Sequence, residues 1–334
     1  MWPHRTKLRH AWIIALSLGA AQLAALLVGA HLDNTLWLSG PAVGLLENPG
    51  MFSIVVGDVA LFVICTAAGT MTCRMGRKLP SRRPDLTRRY FRRFIGTSIF
   101  GPQGIFFRIF FFLVVIGIAA TINQTVQMFN SERYYGHRTF GDWGHHYSFV
   151  AVRLNLIASW CLIIPLFFAY LISHAVAVRG LLQAMGRRHL DHFDTRHPDG
   201  CGGYSFFGWI DTLYALGILV VLIEVVLLII SHDRLTLGNV LAICALAIGA
   251  LIISIFSAGG MLSLVRRQER LLKSRSYFDS RRSSAPASVD FAILNFGLKF
   301  SPYTTTAFRL AVGLRALIAA PAVFRVAQYV NAAT

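Results

Sequence analysis

Residues 51–72 read MFSIVVGDVALFVICTAAGTMT, an apolar run with one acidic residue, Asp58, and no lysine or arginine. About 20 apolar residues in a row cross a hydrocarbon core roughly 30 Å thick, so this run is long enough to span a membrane as a helix. At 1.5 Å per residue, Asp58 then sits about 10 Å below the outer end. An ionised carboxylate at that depth costs on the order of several kcal/mol unless it is paired or hydrated. The run therefore predicts both a membrane fold and a polar partner for Asp58.

Working outward, five further stretches have the same length and character: 11–32, 105–129, 149–178, 211–231 and 239–265. Of the 334 residues, 55% are hydrophobic and 14% charged, with a mean hydropathy of +0.57. A soluble domain carries about a quarter charged residues, so that class is excluded. The reading is an all-α polytopic membrane bundle of six transmembrane helices over residues 1–265, followed by a tail over 266–334. The first run follows a basic N-terminus and ends near a signal-like Val28-Gly29-Ala30, yet it exceeds the roughly 7 to 15 residues of a signal core. It is read as a retained helix.

Lysine and arginine in short loops stay on the cytoplasmic side. With these six spans, 27 of the 32 basic residues fall on the side of the N-terminus, the loops 73–104 and 179–210, and the tail. The opposite loops hold only Arg133, Arg138 and Arg234. This predicts both termini inside. Cys65, Cys161 and Cys244 lie within spans and Cys73 and Cys201 on the inner side, so no outside loop offers a disulfide.

In that topology Arg153 and Glu224 reach the depth of Asp58, and the third span brings Asn123, Gln124 and Gln127 to it. Depth alone predicts an outer polar layer of Asp58, Asn123, Gln124, Arg153 and Glu224. Such a layer is either an ion-pair network that fixes helix packing or part of an ion or proton pathway. The outer loop 35–46, TLWLSGPAVGLL, is too short to span and is read as interfacial, with a re-entrant loop as the alternative.

Between the second and third spans, residues 84–95 read PDLTRRYFRRFI. Leu86, Tyr90, Phe91, Phe94 and Ile95 recur at helical spacing, with Arg88, Arg89, Arg92 and Arg93 on the remaining arc. A basic amphipathic helix beside a span lies on anionic phospholipid, where each arginine gains about 1 kcal/mol. That placement needs no nucleic acid as partner. Outside, Tyr134, Tyr135, Trp143 and Tyr147 read as an interfacial aromatic belt, and His137, His145 and His146 as solvated side chains.

The fourth apolar run is long and carries Pro165, which predicts a kink. Beyond it comes residues 187–203, RRHLDHFDTRHPDGCGG, where His189, His192 and His197 accompany aspartates and Cys201. His189 and His192 would share a helix face, making these three histidines a candidate zinc site. The paired short spacings of a structural zinc site are absent, and Pro198-Asp199-Gly200 reads as a turn. No cofactor is otherwise expected. The phrase HPDGCGG ahead of a span resembles a cytoplasmic loop of uncharacterised bacterial multispan membrane proteins. That resemblance implies a bacterial inner membrane and brings no activity with it.

The sixth run has the small residues Gly249, Ser254, Ser257, Ala258, Gly259 and Gly260, which admit a close helix neighbour. Residues 308–330 are span-length but contain Arg309, Arg315, Pro321 and Arg325, which predicts a cytoplasmic or interfacial helix docked on the bundle or on another chain. No phosphate-binding glycine motif, nucleophile elbow or zinc-protease helix appears. The expected function is therefore a membrane protein without enzymatic chemistry, an oligomeric ion-conducting channel ahead of a scaffold or accessory subunit. A metal-dependent enzyme built on residues 187–203 is the third alternative.

Overall fold

The computed structural model describes residues 7–37, 45–47, 49–78, 101, 103–130, 147–187, 205–232, 240–255 and 313–333, with isolated positions between 85 and 99. Among these residues all regular structure is helical. The elements are α1 (Lys7–Leu32), α2 (Pro49–Lys78), α3 (Ile105–Asn130), α4 (Tyr147–Ile157), a π-helical turn (Ala158–Ile163), α5 (Ile164–Arg187), α6 (Ser205–His232), α7 (Val240–Ile255) and α8 (Ala320–Ala333).

Five segments are long and apolar enough to cross a membrane: Trp12–Leu32, Gly50–Thr72, Ile105–Asn123, Tyr147–Leu181 and Phe207–Leu228. The expected sixth span is represented by the shorter apolar helix α7, and residues 256–265 lie outside the described residues. Several threonine hydroxyls inside the apolar helices bond to their own helices. In α2, Thr66, Thr70 and Thr72 donate to the carbonyls of Phe62, Thr66 and Ala68 at 2.8 to 2.9 Å.

The strongest packing is α2 on α6, followed by α2 on α1. The main core gathers Leu61, Ile64, Phe167, Leu171, Ile218 and Leu222 from α2, α5 and α6. A smaller cluster at the other end joins Leu26 of α1, Met51 and Ile54 of α2, and Val152 and Leu156 of α4. α3 is peripheral, with only 11% of its span buried against 61% for Tyr147–Leu181. Its Phe111, Phe112, Val115 and Ile122 point outward, as lipid-facing side chains do.

Pro165 acts through the preceding turn. Proline lacks an N–H and its ring clashes with the carbonyl four residues earlier, here Cys161. The chain relieves that clash by widening Ala158–Ile163 into a π turn, a one-residue bulge in the helix. Against this turn lies Gly117 of α3, whose missing β-carbon makes room for the Trp160 carbonyl. One turn along α3, Thr121 donates to the Gly117 carbonyl at 2.7 Å and approaches Cys161 Sγ at 3.7 Å.

The C-terminal end of α1 is closed by a Schellman motif. Asn34 has φ 55°, Thr35 N–H donates to Ala30 O at 2.8 Å, and Asn34 N–H donates to His31 O at 3.2 Å. This leaves Asp33 free to cap α4, where its carboxylate accepts the N–H of Ser148 at 2.6 Å, the N–H of Tyr147 at 3.3 Å and the Ser148 hydroxyl. The C-terminal end of α1 is thereby joined to the N-terminal end of α4. Gly29 admits the Tyr147–Ser148 backbone, which passes within contact distance.

At the other end, Arg315 binds Asp211 at the foot of α6 through two parallel bonds, Nη1 to Oδ2 at 2.8 Å and Nη2 to Oδ1 at 2.5 Å. Its Nε donates to Ser254 O of α7 at 3.4 Å. Ile318, fully buried, enters the main core beside it. The tail over 313–333 thus packs on the bundle. Residues 266–312 lie outside the described residues.

Candidate functional site

Asp58 is fully buried in α2. Its Oδ2 accepts from Gln22 Nε2 of α1 at 2.7 Å, while Oδ1 has no partner. Ser159, in the π turn, faces the same carboxylate, and its Oγ makes no hydrogen bond of ordinary geometry. One turn before it, Asn155 donates to Ala151 O at 2.9 Å and to Gln22 O at 3.5 Å, leaving its Oδ1 without a partner.

Glu224 comes from α6, 2% exposed, with both carboxylate oxygens unpartnered. It lies on the backbone of Gly57, where any β-carbon would occupy the space of its carboxylate. That places it close enough to Asp58 for the two acids to interact electrostatically. Five buried polar side chains from α1, α2, α4 with its π turn, and α6 therefore meet in one layer. Two of them are acids, and none is basic.

Of the layer expected from depth, the structure brings together Asp58 and Glu224. Arg153 is half-buried and turned to α3, where Nη1 donates to Thr121 O at 3.2 Å. Its guanidinium carbon lies 5.7 Å from the Phe149 ring centroid. Asn123 is exposed on α3, and the side chain of Gln124 lies outside the described residues. Gln22, Asn155 and Ser159 were not anticipated. Their signal was present in the sequence as uncharged polar residues inside apolar runs, Gln22 within AAQLAA for example.

A second polar group lies about 15 Å further along α6, ten residues at 1.5 Å each. The His174 and Tyr214 rings are 5.3 Å apart by centroid, with Tyr170 6.5 Å from Tyr214. His174 Nε2 and the Tyr214 hydroxyl are buried without a partner. Between the two polar groups stands a hydrophobic layer in which Phe167 packs into the notch left by Gly217.

The candidate zinc residues His189, His192 and His197 lie outside the described residues, and no group of three metal-ligating side chains occurs among the described ones. Tyr134, Tyr135, Trp143 and the histidines 137, 145 and 146 also lie outside, whereas Tyr147 is exposed. In the basic segment, Arg88 and Arg92 fall outside the described residues. Arg89 and Arg93 are helical and exposed, and Phe91 between them is buried in the main core.

Comparison of the chain with known protein families, with curated proteins and with solved structures finds no match in any of the three.

Proposed function

We propose that this chain is a multi-pass inner-membrane protein that moves a small cation, a metal ion or a proton, by way of the Asp58–Glu224 pair. The observation that carries this reading is two buried acids at one level, Glu224 resting on the backbone of Gly57 beside Asp58, with no basic side chain bonded to either among the described residues. Uncompensated charge in low dielectric is among the most expensive features a fold can hold, and intramembrane acids without partners mark ion and proton pathways. A pair retained only for packing would be cheaper as a leucine pair.

The orientation that goes with this reading has both termini inside and the acid pair in the outer half, as the distribution of basic residues indicates. A cysteine introduced at Ser283 should resist a membrane-impermeant thiol reagent in intact cells; labelling there reverses the topology. The helix carrying Arg89 and Arg93 then rests on anionic phospholipid of the inner leaflet.

Reconstitution tests the function. Vesicles containing the full chain should pass protons, sodium, potassium or calcium down an imposed gradient faster than protein-free vesicles. Asp58→Asn and Glu224→Gln should return flux to that baseline while the proteins remain folded. Wild-type flux equal to the baseline for every ion defeats the reading. A second reading, an accessory subunit, draws support from α8, where Val323, Phe324 and Val330 are exposed on a helix already docked on the bundle. Co-purification of a stoichiometric partner lost on Phe324→Asp would favour it.

A further inference from the structure

The layer around Asp58 has a chemical bias that narrows the cation. Six of its side-chain atoms are buried without a hydrogen-bond partner: Gln22 Oε1, Asp58 Oδ1, Asn155 Oδ1, Ser159 Oγ and both oxygens of Glu224. Every one is an oxygen. The amide nitrogens are already committed, Gln22 Nε2 to Asp58 and Asn155 Nδ2 to main-chain carbonyls. No nitrogen or sulfur ligand belongs to the group.

Protons meet this inventory only when both acids are protonated: each O–H joins two oxygens, its own and one acceptor, so two carboxyl protons and the Ser159 hydroxyl account for the six oxygens only if every donor finds a different acceptor. A dehydrated cation with a coordination number near six takes oxygens of this kind as ligands without needing them paired one to one. Hard oxygen donors select alkali and alkaline-earth ions over zinc or copper, which favour nitrogen and sulfur. Charge balance works as well, since one divalent ion neutralises both acids, or one monovalent ion does so with a single acid still protonated.

The surrounding structure holds these donors in place. Gln22 is fixed by its bond to Asp58, and Asn155 is tied to both α4 and α1. Ser159 is presented by the π turn, a widened stretch of the kind that recurs at functional sites. Gly57 lets Glu224 reach the layer from α6. Apart from 155 and 159, one turn apart on the same run, these residues lie far apart in sequence, and packing brings them together.

We propose that Gln22, Asp58, Asn155, Ser159 and Glu224 form an all-oxygen site for one dehydrated hard cation of the alkali or alkaline-earth class. This rests on the proposed ion-moving function and specifies its substrate. The test uses the full chain in nanodiscs, with thermal unfolding followed in choline chloride and after replacement by sodium, potassium, calcium or magnesium chloride at equal ionic strength. At least one metal ion should raise Tm by several degrees in a saturable manner, and radioactive sodium or calcium, whichever stabilises, should bind at one site per chain. Asp58→Asn and Glu224→Gln should abolish both effects. Ser159→Ala, which keeps both acids and is the smallest change, should weaken binding about tenfold, so the proposal stays testable if an acid variant fails to fold. No metal-dependent shift relative to choline, or a shift unchanged in all three variants, overturns it. Proton flux that needs Asp58, without any metal effect, removes this inference alone; absence of all flux removes the functional reading as well.

Discussion

Glu224 rests directly on the backbone of Gly57, one residue before Asp58, so its carboxylate comes in beside that residue only because position 57 has no side chain. The relationship is positional as well as chemical, and it can be broken without removing either carboxylate.

Gly57→Ala should displace the Glu224 carboxylate while leaving α2 against α6, because the group that must move is the flexible end of a side chain. Flux through reconstituted vesicles should fall roughly tenfold or more, corresponding to about 1.4 kcal/mol at the ion. Thermal stability should change little. Gly57→Leu should instead overpack the helix interface at a cost of about 1 to 3 kcal/mol. Unaltered flux in the alanine variant would detach Glu224 from transport.

Asp211→Asn should loosen the C-terminal tail. It removes one side of a bidentate pair that is only 11% and 8% exposed, leaving the Arg315 guanidinium without its counter-charge. The expected loss is about 2 to 3 kcal/mol, below the cost for a fully buried pair. Trypsin should then cut faster at Arg325, which is buried while α8 is docked. The double variant Asp211→Asn with Arg315→Gln should recover part of the loss; if it is worse than either single change, the two side chains do not act as a pair.

Asp33→Ala should lower stability by about 1 to 2 kcal/mol, the usual worth of a helix N-cap. It removes the acceptor shared by the Tyr147 and Ser148 N–H groups. Asp33→Asn retains a capping oxygen and should cost less. Chemical denaturation in detergent orders the three proteins, and equal stability of the alanine and asparagine variants would show that the cap contributes nothing.

For the basic segment, replacing Arg88, Arg89, Arg92 and Arg93 with Gln in a peptide spanning 81–97 should weaken binding to anionic vesicles on the order of a thousandfold, about 1 kcal/mol per arginine. Binding to neutral vesicles should hardly change. Equal losses on both lipids would mean that the apolar face, where Phe91 is buried in the full chain, provides the affinity.

What the sequence by itself determined is axial. Apolar run length is a local property, so the five helices long enough to cross a membrane were legible from residue counting; the run over 239–265, counted as a sixth span, is described only over Val240–Ile255. Arg315 among apolar residues likewise argued against another crossing, and the tail packs on the bundle at Asp211. Rotation about each helix axis is different, because it depends on which faces pack together. Arg153 shares the depth of the acids yet turns towards Thr121 on α3, and the π turn before Pro165 then changes the angular register so that Ser159 meets Asp58. Gln22, uncharged and inconspicuous among alanines, became a partner of Asp58 only through the close packing of α1 on α2, where Gly19 receives Val59. Depth comes from the chain's own spacing, whereas azimuth comes from close packing between distant segments, and only the tertiary structure decided it.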